Sequence, residues 1–310
     1  MVAGEDQLPV KISQLRSQVF EVIMKKLLIP TLLVLGFVPL IYSTVSEPDC
    51  TYVNGEVTDT GTCKIPAEKL VIKMYKLGVC TSLPSAPTTS AAPDFSSCQT
   101  IFENTSGSDV TINGEVGSGL TGTFTRPLNG TYSYGYVIVA PQIGIQQSVK
   151  FNSSRTVTGG ASSGVYCWSK AGTLWRKNGY NSAYVECGSS VASNIGVTET
   201  AYNSWNGTGA FSDTQTVPAD PATGFPDIYS FLVGDDLKLK SDPSSTTSFG
   251  SISRHIGIAG PVNNPFVISD STTSIDIGFF TSRGAKIKFD GSGNIENIKD
   301  GGLFYKLTVK

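Results

Sequence analysis

Charged residues are scarce in this 310-residue chain, at 15% against about 25% in an average soluble protein. The 23 basic and 25 acidic side chains leave a net charge of −2. Such a balance lacks the basic surface that nucleic acids and anionic membranes require, so we expect no nucleic-acid partner. The polar character comes instead from 68 serine and threonine residues and from 33 glycines.

Histidine is nearly absent, since His255 is the only one. A Ser-His-Asp triad would have to use it. Ser162 lies at the centre of a G-x-S-x-G spacing, Gly160–Gly164, but no helix signal follows, so the strand-turn-helix context of a nucleophile elbow is missing. The cysteines show no C-x-x-C spacing and are remote from His255 in sequence, which excludes the usual zinc patterns. We therefore predict no catalytic residue, no metal and no cofactor.

Two acidic segments match, in part, the patterns of catalytic carboxylate pairs and of calcium-binding loops. Asp235 and Asp236 are adjacent in a turn-like stretch, and paired carboxylates can hydrolyse glycosides, but aspartates in turns are mostly turn formers. The segment that begins at Asp290 resembles a calcium loop. However, Ile295 and Gly301 occupy the positions that need glycine and glutamate, so the segment predicts a hairpin turn.

Long apolar runs are also rare. The most hydrophobic one, Leu27–Ile41, has 15 residues, which is shorter than the ~20 residues of a membrane-spanning helix. It follows Lys25 and Lys26 and precedes small residues such as Ser43, which is the pattern of a secretory signal peptide. Residues 1–43 would then be an upstream extension plus the leader, with Met24 as the start. We expect a secreted protein, extracellular or at the cell surface, that touches a membrane only if the leader stays uncleaved.

All six cysteines follow this leader, and an even number in an exported chain predicts three disulfides. Six cysteines allow 15 connectivities. Their spacing favours three local pairs, each closing a loop of 14 to 21 residues and contributing about 3 kcal/mol. The predicted pairs are Cys50–Cys63, Cys80–Cys98 and Cys167–Cys187.

Strand patterns dominate the rest of the chain. In Leu70–Tyr75 apolar residues alternate with more polar ones, Thr131–Ala140 is a β-rich run stopped by Pro141, and Leu303–Val309 alternates as a closing strand would. Asn-Gly dipeptides punctuate the strands, and no sustained helical period appears. These patterns predict an all-β fold, an antiparallel β-sandwich of the Ig-like or jelly-roll-like kind with very little helix.

The cysteines divide the chain unevenly. Residues 44–200 hold all of them and predict a disulfide-containing sandwich domain, whereas residues 201–310 form either a cysteine-free β domain or a continuation of the same sandwich. The stretch Ser212–Gly224 reads as a loop at this boundary. Leu83–Ser97, rich in proline and serine, lies between two cysteines and predicts a surface loop.

Aromatic and asparagine residues are the remaining candidates for binding or modification. Aromatic rows can stack on sugars, although packing between sheets is their commoner use. The candidate stacking residues are Tyr132, Tyr134, Tyr136, Trp168 and Trp175. Four sequons indicate surface turns that could carry glycans. Their asparagines are Asn104, Asn129, Asn152 and Asn206.

These features favour an exported, non-enzymatic structural or adhesive protein of the cell surface, such as a subunit of a filament, pilus-like fibre or surface layer. Self-association would be head-to-tail, with Thr44–Val53 as a candidate donated strand. The alternative is a soluble extracellular carbohydrate-binding module whose partner is a surface glycan. A secreted glycosidase is the third interpretation.

Overall fold

The computed structural model describes residues 47–113, 116–117, 120–176, 182–204, 215–217, 228–240, 247–261, 265–302 and 304–310. The predicted leader lies outside these residues, and so does the sequon at Asn206. Within them the fold is all-β, as the sequence predicts. Among the described residues the one complete helical element is a 3₁₀ turn at Ser182–Tyr184. No helix in the described ranges is long and apolar enough to cross a bilayer.

The strands are numbered in chain order. They are β1 Tyr52–Val53, β2 Glu56–Val57, β3 Cys63–Ile65, β4 Lys69–Cys80, β5 Cys98–Asn113, β6 Val116–Gly117, β7 Thr123–Phe124, β8 Gly130–Tyr132, β9 Tyr134–Val139, β10 Gln142–Gln146, β11 Ser148–Thr156, β12 Ser163–Ser169, β13 Gly172–Trp175, β14 Val185–Gly188, β15 Thr198–Ala201, β16 Gln215–Val217, β17 Ile228–Val233, β18 Arg254–Ala259, β19 Phe266–Ile268, β20 Ile275–Phe280, β21 Ala285–Phe289, β22 Ile295–Asp300 and β23 Phe304–Val309.

The largest sheet branches at its longest central strand, β4. One edge of β4 pairs with β5 along nearly its whole length. The opposite edge is shared: Lys69–Val71 pair with β10, whereas Met74–Cys80 pair with β9. The sheet therefore continues in two directions, through β10 to β15 and β13, and through β9 to β18, β17 and β16.

The remaining strands form smaller sheets around this one. A five-stranded sheet runs in the order β1-β2-β11-β12-β14, and a three-stranded sheet runs in the order β22-β21-β3. The two remaining sheets have two strands each, β8 with β19 and β20 with β23. Most pairings are antiparallel, but β2 with β11 and β13 with β15 are parallel, so the sheets are mixed. Strands from before and after residue 200 share sheets, because β18 pairs with β9 and β21 with β3.

The core follows from the alternation of side chains along the strands. Leu70, Ile72 and Met74 are buried in the main core cluster, whereas the intervening residues of β4 point to the other face. A second cluster lies on that opposite face and contains Tyr136 and Ile256. Burial of this kind stabilises the fold by about 25 cal/mol for each Å² of apolar surface removed from water.

The six cysteines form the three local disulfides that their spacing predicts: Cys50–Cys63, Cys80–Cys98 and Cys167–Cys187. Two of them join residues that lie directly opposite each other on antiparallel strands, β4 with β5 and β12 with β14. The stretch Leu83–Ser97 is a loop whose ends are tied by the second disulfide, as predicted.

Two sequence expectations need correction. The run Thr131–Ala140 is not one strand, because it breaks at Ser133 into β8 and β9, and each half finds a different partner strand. Part of the expected loop Ser212–Gly224 is extended, since Gln215–Val217 pairs with β17 as an edge strand. The pairing of β16 is with the next strand in sequence, β17. The strands β19 and β18, in contrast, follow β8 and β9 by more than 100 residues, so local residue patterns could not indicate those pairings.

Candidate functional site

A groove of about 410 Å³ lies where the large sheet branches. It opens next to the corner at which the chain leaves β9, passes Ala140 and Pro141, and enters β10. The amide of Ala140 donates to the carbonyl of Lys73, 2.8 Å away, which fixes this corner against the middle of β4. The groove volume is within the range of small-ligand sites, about 300 to 1,000 Å³.

The floor of the groove is the outward face of β4 and its neighbours. Val71, Lys73 and Tyr75 alternate with the buried core residues of β4 and are half-buried. Gly144 of β10 lies opposite Val71 and also opposite Glu199 of β15. A Cβ built on Gly144 would lie 2.8 Å from Cγ1 of Val197 and 3.3 Å from Cβ of Val71, so Val197 packs over this glycine.

An overhanging segment, residues 247–253, forms the other wall. Phe249 and Ile252 line the groove, and the amide of Ile252 donates to the carbonyl of Phe249 at 3.0 Å. The Trp175 ring packs against the Phe249 ring with 4.9 Å between centroids. Asn203 donates from Nδ2 to the carbonyl of Ser248 at 3.1 Å. The segment is therefore tied to β13 and to the end of β15.

Tyr75 occupies the branch point itself. The pairing of β4 with both β9 and β5 shifts register between Met74 and Lys76, which makes Tyr75 a bulge residue. The Arg254 guanidinium lies over its ring, 3.7 Å from the centroid. Gly107 borders the ring edge, because a Cβ built there would be 2.8 Å from Tyr75 Cε1. The ring is held from two sides.

Three charged side chains line the groove. Lys73 Nζ lies 3.6 Å from Asp109 Oδ1, and Thr173 donates from Oγ1 to Glu199 Oε2 at 3.3 Å. Glu199 and Asp109 lie on strands three positions apart, β15 and β5, which corresponds to about 14 Å across the sheet.

The aromatic residues singled out from the sequence are placed mostly in packing roles. Tyr132, Tyr136 and Trp168 are buried, and Tyr136 shares a hydrogen bond of 2.9 Å with Thr100. Tyr134 is half-buried beside the second core cluster. The three tyrosines do not form one row, since Tyr132 belongs to a different sheet. Trp175 packs against Phe249 of the groove but is not itself a lining residue.

The residues considered for nucleophilic catalysis have ordinary partners. Ser162 follows a turn with positive φ at Gly159 and Gly160, and its Oγ accepts from the amide of Cys187 at 3.0 Å. His255 lies on β18 opposite Leu232. Ser162 therefore lies at a turn and His255 within a sheet.

His255 belongs to a largely buried polar cluster with Tyr202 and Asp300. Its ring lies 6.0 Å from that of Tyr202, and Tyr202 donates to Asp300. Burial lowers the pKa of His255 to about 4, although Asp300 acts in the opposite direction. Burial, reinforced by Lys286, lowers the pKa of Lys299 to about 7. Both bases are thus biased toward their neutral forms.

The acidic turn considered for glycoside hydrolysis is held by ion pairs. Asp235 Oδ1 lies 3.0 Å from Arg254 and accepts from the Ser253 hydroxyl at 2.9 Å. Asp236 pairs with Lys240 at 2.8 Å, and this hydrogen bond lowers its pKa. Each carboxylate therefore has a cation of its own, and the two do not face each other across a cleft.

Two groups of side chains could be taken for cation sites. Cys50, Asp59 and Cys63 lie together, but both sulfurs are in a disulfide and lack the thiolate that binds metals. Asp290 accepts from the amide of Asn294 through Oδ1 and from its side chain through Oδ2, and these bonds lower its pKa. Its oxygens close the hairpin turn that the sequence predicts between β21 and β22.

The three described sequon asparagines differ in their surroundings. Asn152 is exposed on β11. Asn129 is exposed but bonded, because its Nδ2 donates to Asp270 at 2.6 Å. Asn104 is half-buried and donates from Nδ2 to the carbonyl of Thr121 at 2.7 Å. Asn152 is thus the sequon whose placement best matches an accessible glycan acceptor.

The residues that line the groove were not identified as a site from the sequence. The alternation of Leu70–Tyr75 placed Tyr75 on the polar face of a strand, but nothing local linked it to Phe249 or Glu199. Proteins of known sequence or structure offer no guide either: comparison with protein-family models, with curated proteins and with solved structures finds no match to this chain.

Proposed function

We propose that this protein is an extracellular adhesive protein that binds carbohydrate in the groove at the branch of its large sheet. The observation that carries the proposal is the combination of two half-buried aromatic rings, Tyr75 and Phe249, with hydrogen-bonding side chains in one groove. Sugars present both an apolar face of C–H groups and a rim of hydroxyls. A site for them needs both kinds of surface.

The polar side chains of the groove can form hydrogen bonds with the hydroxyls at the rim of a sugar ring. Glu199 and Asp109 offer carboxylate oxygens that accept from hydroxyls, and Gln142 offers an amide that donates and accepts. Hydrogen bonds to charged groups are worth about 1.5 to 3 kcal/mol. Aromatic packing adds about 0.5 to 1.5 kcal/mol for each ring. Together these contributions suit a ligand of moderate affinity.

The location is supported by the disulfides. Three of them are present, and such bonds are typical of proteins from oxidising compartments outside the cytosol. The low net charge of −2 fits a ligand recognised by hydroxyl contacts rather than by long-range attraction. The signal peptide and the particular sandwich type, Ig-like or jelly-roll-like, belong to the same proposal and rest on the sequence.

A filament subunit remains a prediction from the sequence, and the candidate donated strand limits how it could form. Cys50 is bonded to Cys63, Asp49 pairs with Arg283 at 2.7 Å, and Glu47 pairs with Lys286 at 2.9 Å. Donation of residues 47–53 to a second copy would have to break these contacts. Adhesion through the groove needs no such rearrangement.

A glycan array tests the proposal. The oxidised protein from residue 44 onward is compared with Phe249→Ala, which removes one ring of the groove, and with Tyr52→Ala as the matched control. Tyr52 is an aromatic residue with 47% exposure on another sheet. Circular dichroism and thermal unfolding establish that all three proteins are folded before binding is compared.

The proposal predicts that the wild-type protein and Tyr52→Ala retain the same glycans and that folded Phe249→Ala loses at least tenfold in affinity. Failure of the wild-type protein to retain any glycan would overturn it. Unchanged binding by Phe249→Ala would place the binding surface elsewhere and contradict the groove as its site.

A further inference from the structure

We infer that the groove binds an uncharged oligosaccharide of at least two sugar rings, laid across the strands with its ends near Glu199 and Asp109. This inference rests on the proposed function and deepens it. It specifies the length, the direction and the charge of the ligand. Each of these follows from the placement of side chains on neighbouring strands.

Ligand length follows from the sheet register. Glu199 on β15 lies opposite Gly144 on β10, which lies opposite Val71 on β4. Asp109 on β5 lies opposite Lys73 of the same β4. Three inter-strand spacings, about 14 Å, therefore separate the backbones that carry the two carboxylates. A single pyranose ring is too short to reach both, whereas a short chain of rings spans them.

Ligand direction follows from the walls. Phe249 and the bulged Tyr75 line the same groove as the two carboxylates. A chain laid across the strands from Glu199 to Asp109 crosses β10 and β4, where Val197 packs over Gly144 and provides an apolar contact. A chain laid along β4 would instead leave the groove and lose contact with Glu199.

The expected charge of the ligand follows from the presence of both positive and negative side chains in the groove. The charged residues that line the groove are Lys73, Asp109 and Glu199. A chain of anionic sugars would approach two carboxylates, and a chain of cationic sugars would approach Lys73. Uncharged hydroxyls can donate to the carboxylates and accept from the ammonium group, so they suit every position.

Thr173 is a positioning residue in this arrangement. It lies opposite Glu199 in the parallel pair of β13 and β15, and its hydroxyl donates to Glu199 Oε2 at 3.3 Å. The bond engages Oε2 and holds the carboxylate against β13. Thr173→Val would remove the bond at similar volume.

Isothermal titration calorimetry with the wild-type protein tests the inference. The probes are neutral gluco-, manno- and galacto-oligosaccharides of one to four rings, together with oligomers of a uronic acid and of an amino sugar. Glu199→Gln is measured beside them, with Glu186→Gln as a control. Glu186 is a half-buried glutamate on β14 that pairs with Lys170 at 3.2 Å.

The inference predicts that one neutral series gains at least tenfold in affinity between one ring and three, and that Glu199→Gln reduces this gain while Glu186→Gln does not. Equal affinity for one ring and three, or preference for a charged series, would overturn the inference and leave carbohydrate binding intact. Binding of no series at any length would contradict the proposed function as well.

Discussion

The Arg254 guanidinium lies over the Tyr75 ring, with its central carbon 3.7 Å from the ring centroid. The same guanidinium pairs with Asp235 at 3.0 Å. One face of the tyrosine is thereby covered, and its position at the bulge of β4 is fixed. This contact joins the β18 branch of the sheet to β4 at the groove.

Arg254→Met should weaken glycan binding about threefold to tenfold, which corresponds to ~0.7 to 1.4 kcal/mol. The methionine keeps an apolar stem but no longer holds the Tyr75 ring or pairs with Asp235. Stability should fall by less than about 1 kcal/mol, because exposed ion pairs and cation–π contacts are weak. Titration calorimetry and urea unfolding measure the two effects.

Lys150→Met is the matched control for that change. Lys150 lies over the Tyr166 ring at 5.6 Å and pairs with Glu56 at 2.8 Å, but on the five-stranded sheet. Its replacement should leave binding unchanged. If both variants bind like the wild-type protein, the contact of Arg254 with Tyr75 does not shape the groove.

Tyr136→Phe should lower the free energy of unfolding by about 1 kcal/mol and leave glycan binding unchanged. The hydroxyl that it removes shares a hydrogen bond with Thr100, and one such bond is worth about that amount. Urea unfolding with a parallel glycan titration provides the measurement. A tenfold loss of affinity in the folded variant would return this tyrosine to the candidates for sugar stacking.

Removal of the disulfide at the end of β4 should lower the unfolding free energy by about 3 kcal/mol. Cys80 and Cys98 are 18 residues apart in sequence, and closing a loop of that length constrains the unfolded chain by roughly this amount. The double variant Cys80→Ala with Cys98→Ala is compared with the wild-type protein by urea unfolding. An unchanged free energy would mean that the bond gives no net stabilisation.

Acidification should destabilise the protein through His255. Its pKa is about 4 in the folded state and about 6.5 when unfolded. Between these values the unfolded chain takes up a proton that the folded chain does not, so stability falls as the pH is lowered from 6.5 to 4. The full effect is about 3 kcal/mol and remains below pH 4.

Two measurements check this pH dependence. His255 is the only histidine in the sequence, so its ring signals in NMR report one titration without overlap. The pH dependence of unfolding is then compared with that of His255→Gln, which does not titrate. Parallel curves for the two proteins from pH 7 to 4, or a ring pKa near 6.5, would contradict the prediction.

Much of the fold could be predicted from local patterns. Alternation identified Leu70–Tyr75 as a half-buried strand because the period of two is a property of any strand with one buried face. The cysteine spacing identified the three disulfides, since cysteines close in sequence easily meet across a hairpin. The hairpin at Asp290 followed from two residues that a calcium loop does not tolerate.

Other features were not local and could not be predicted. The division of Thr131–Ala140 between two sheets depends on strands that follow more than 100 residues later, β18 and β19. The groove joins Tyr75, Glu199 and Phe249, which only the register of four neighbouring strands and one overhanging segment brings together. The sequence therefore identified aromatic residues as candidates for sugar stacking, but most of those candidates pack inside the protein.

Chemical-shift mapping by NMR tests the groove most directly. A neutral trisaccharide that the glycan array selects is titrated into isotope-labelled wild-type protein, and the amide signals are followed to saturation. Carbohydrate binding in the groove predicts saturable shifts at Val71–Tyr75, Gln142–Gly144, Glu199 and Phe249–Ser253. Saturable shifts confined to β1, β2 or the surroundings of Trp168, with these groove amides unmoved, would contradict it.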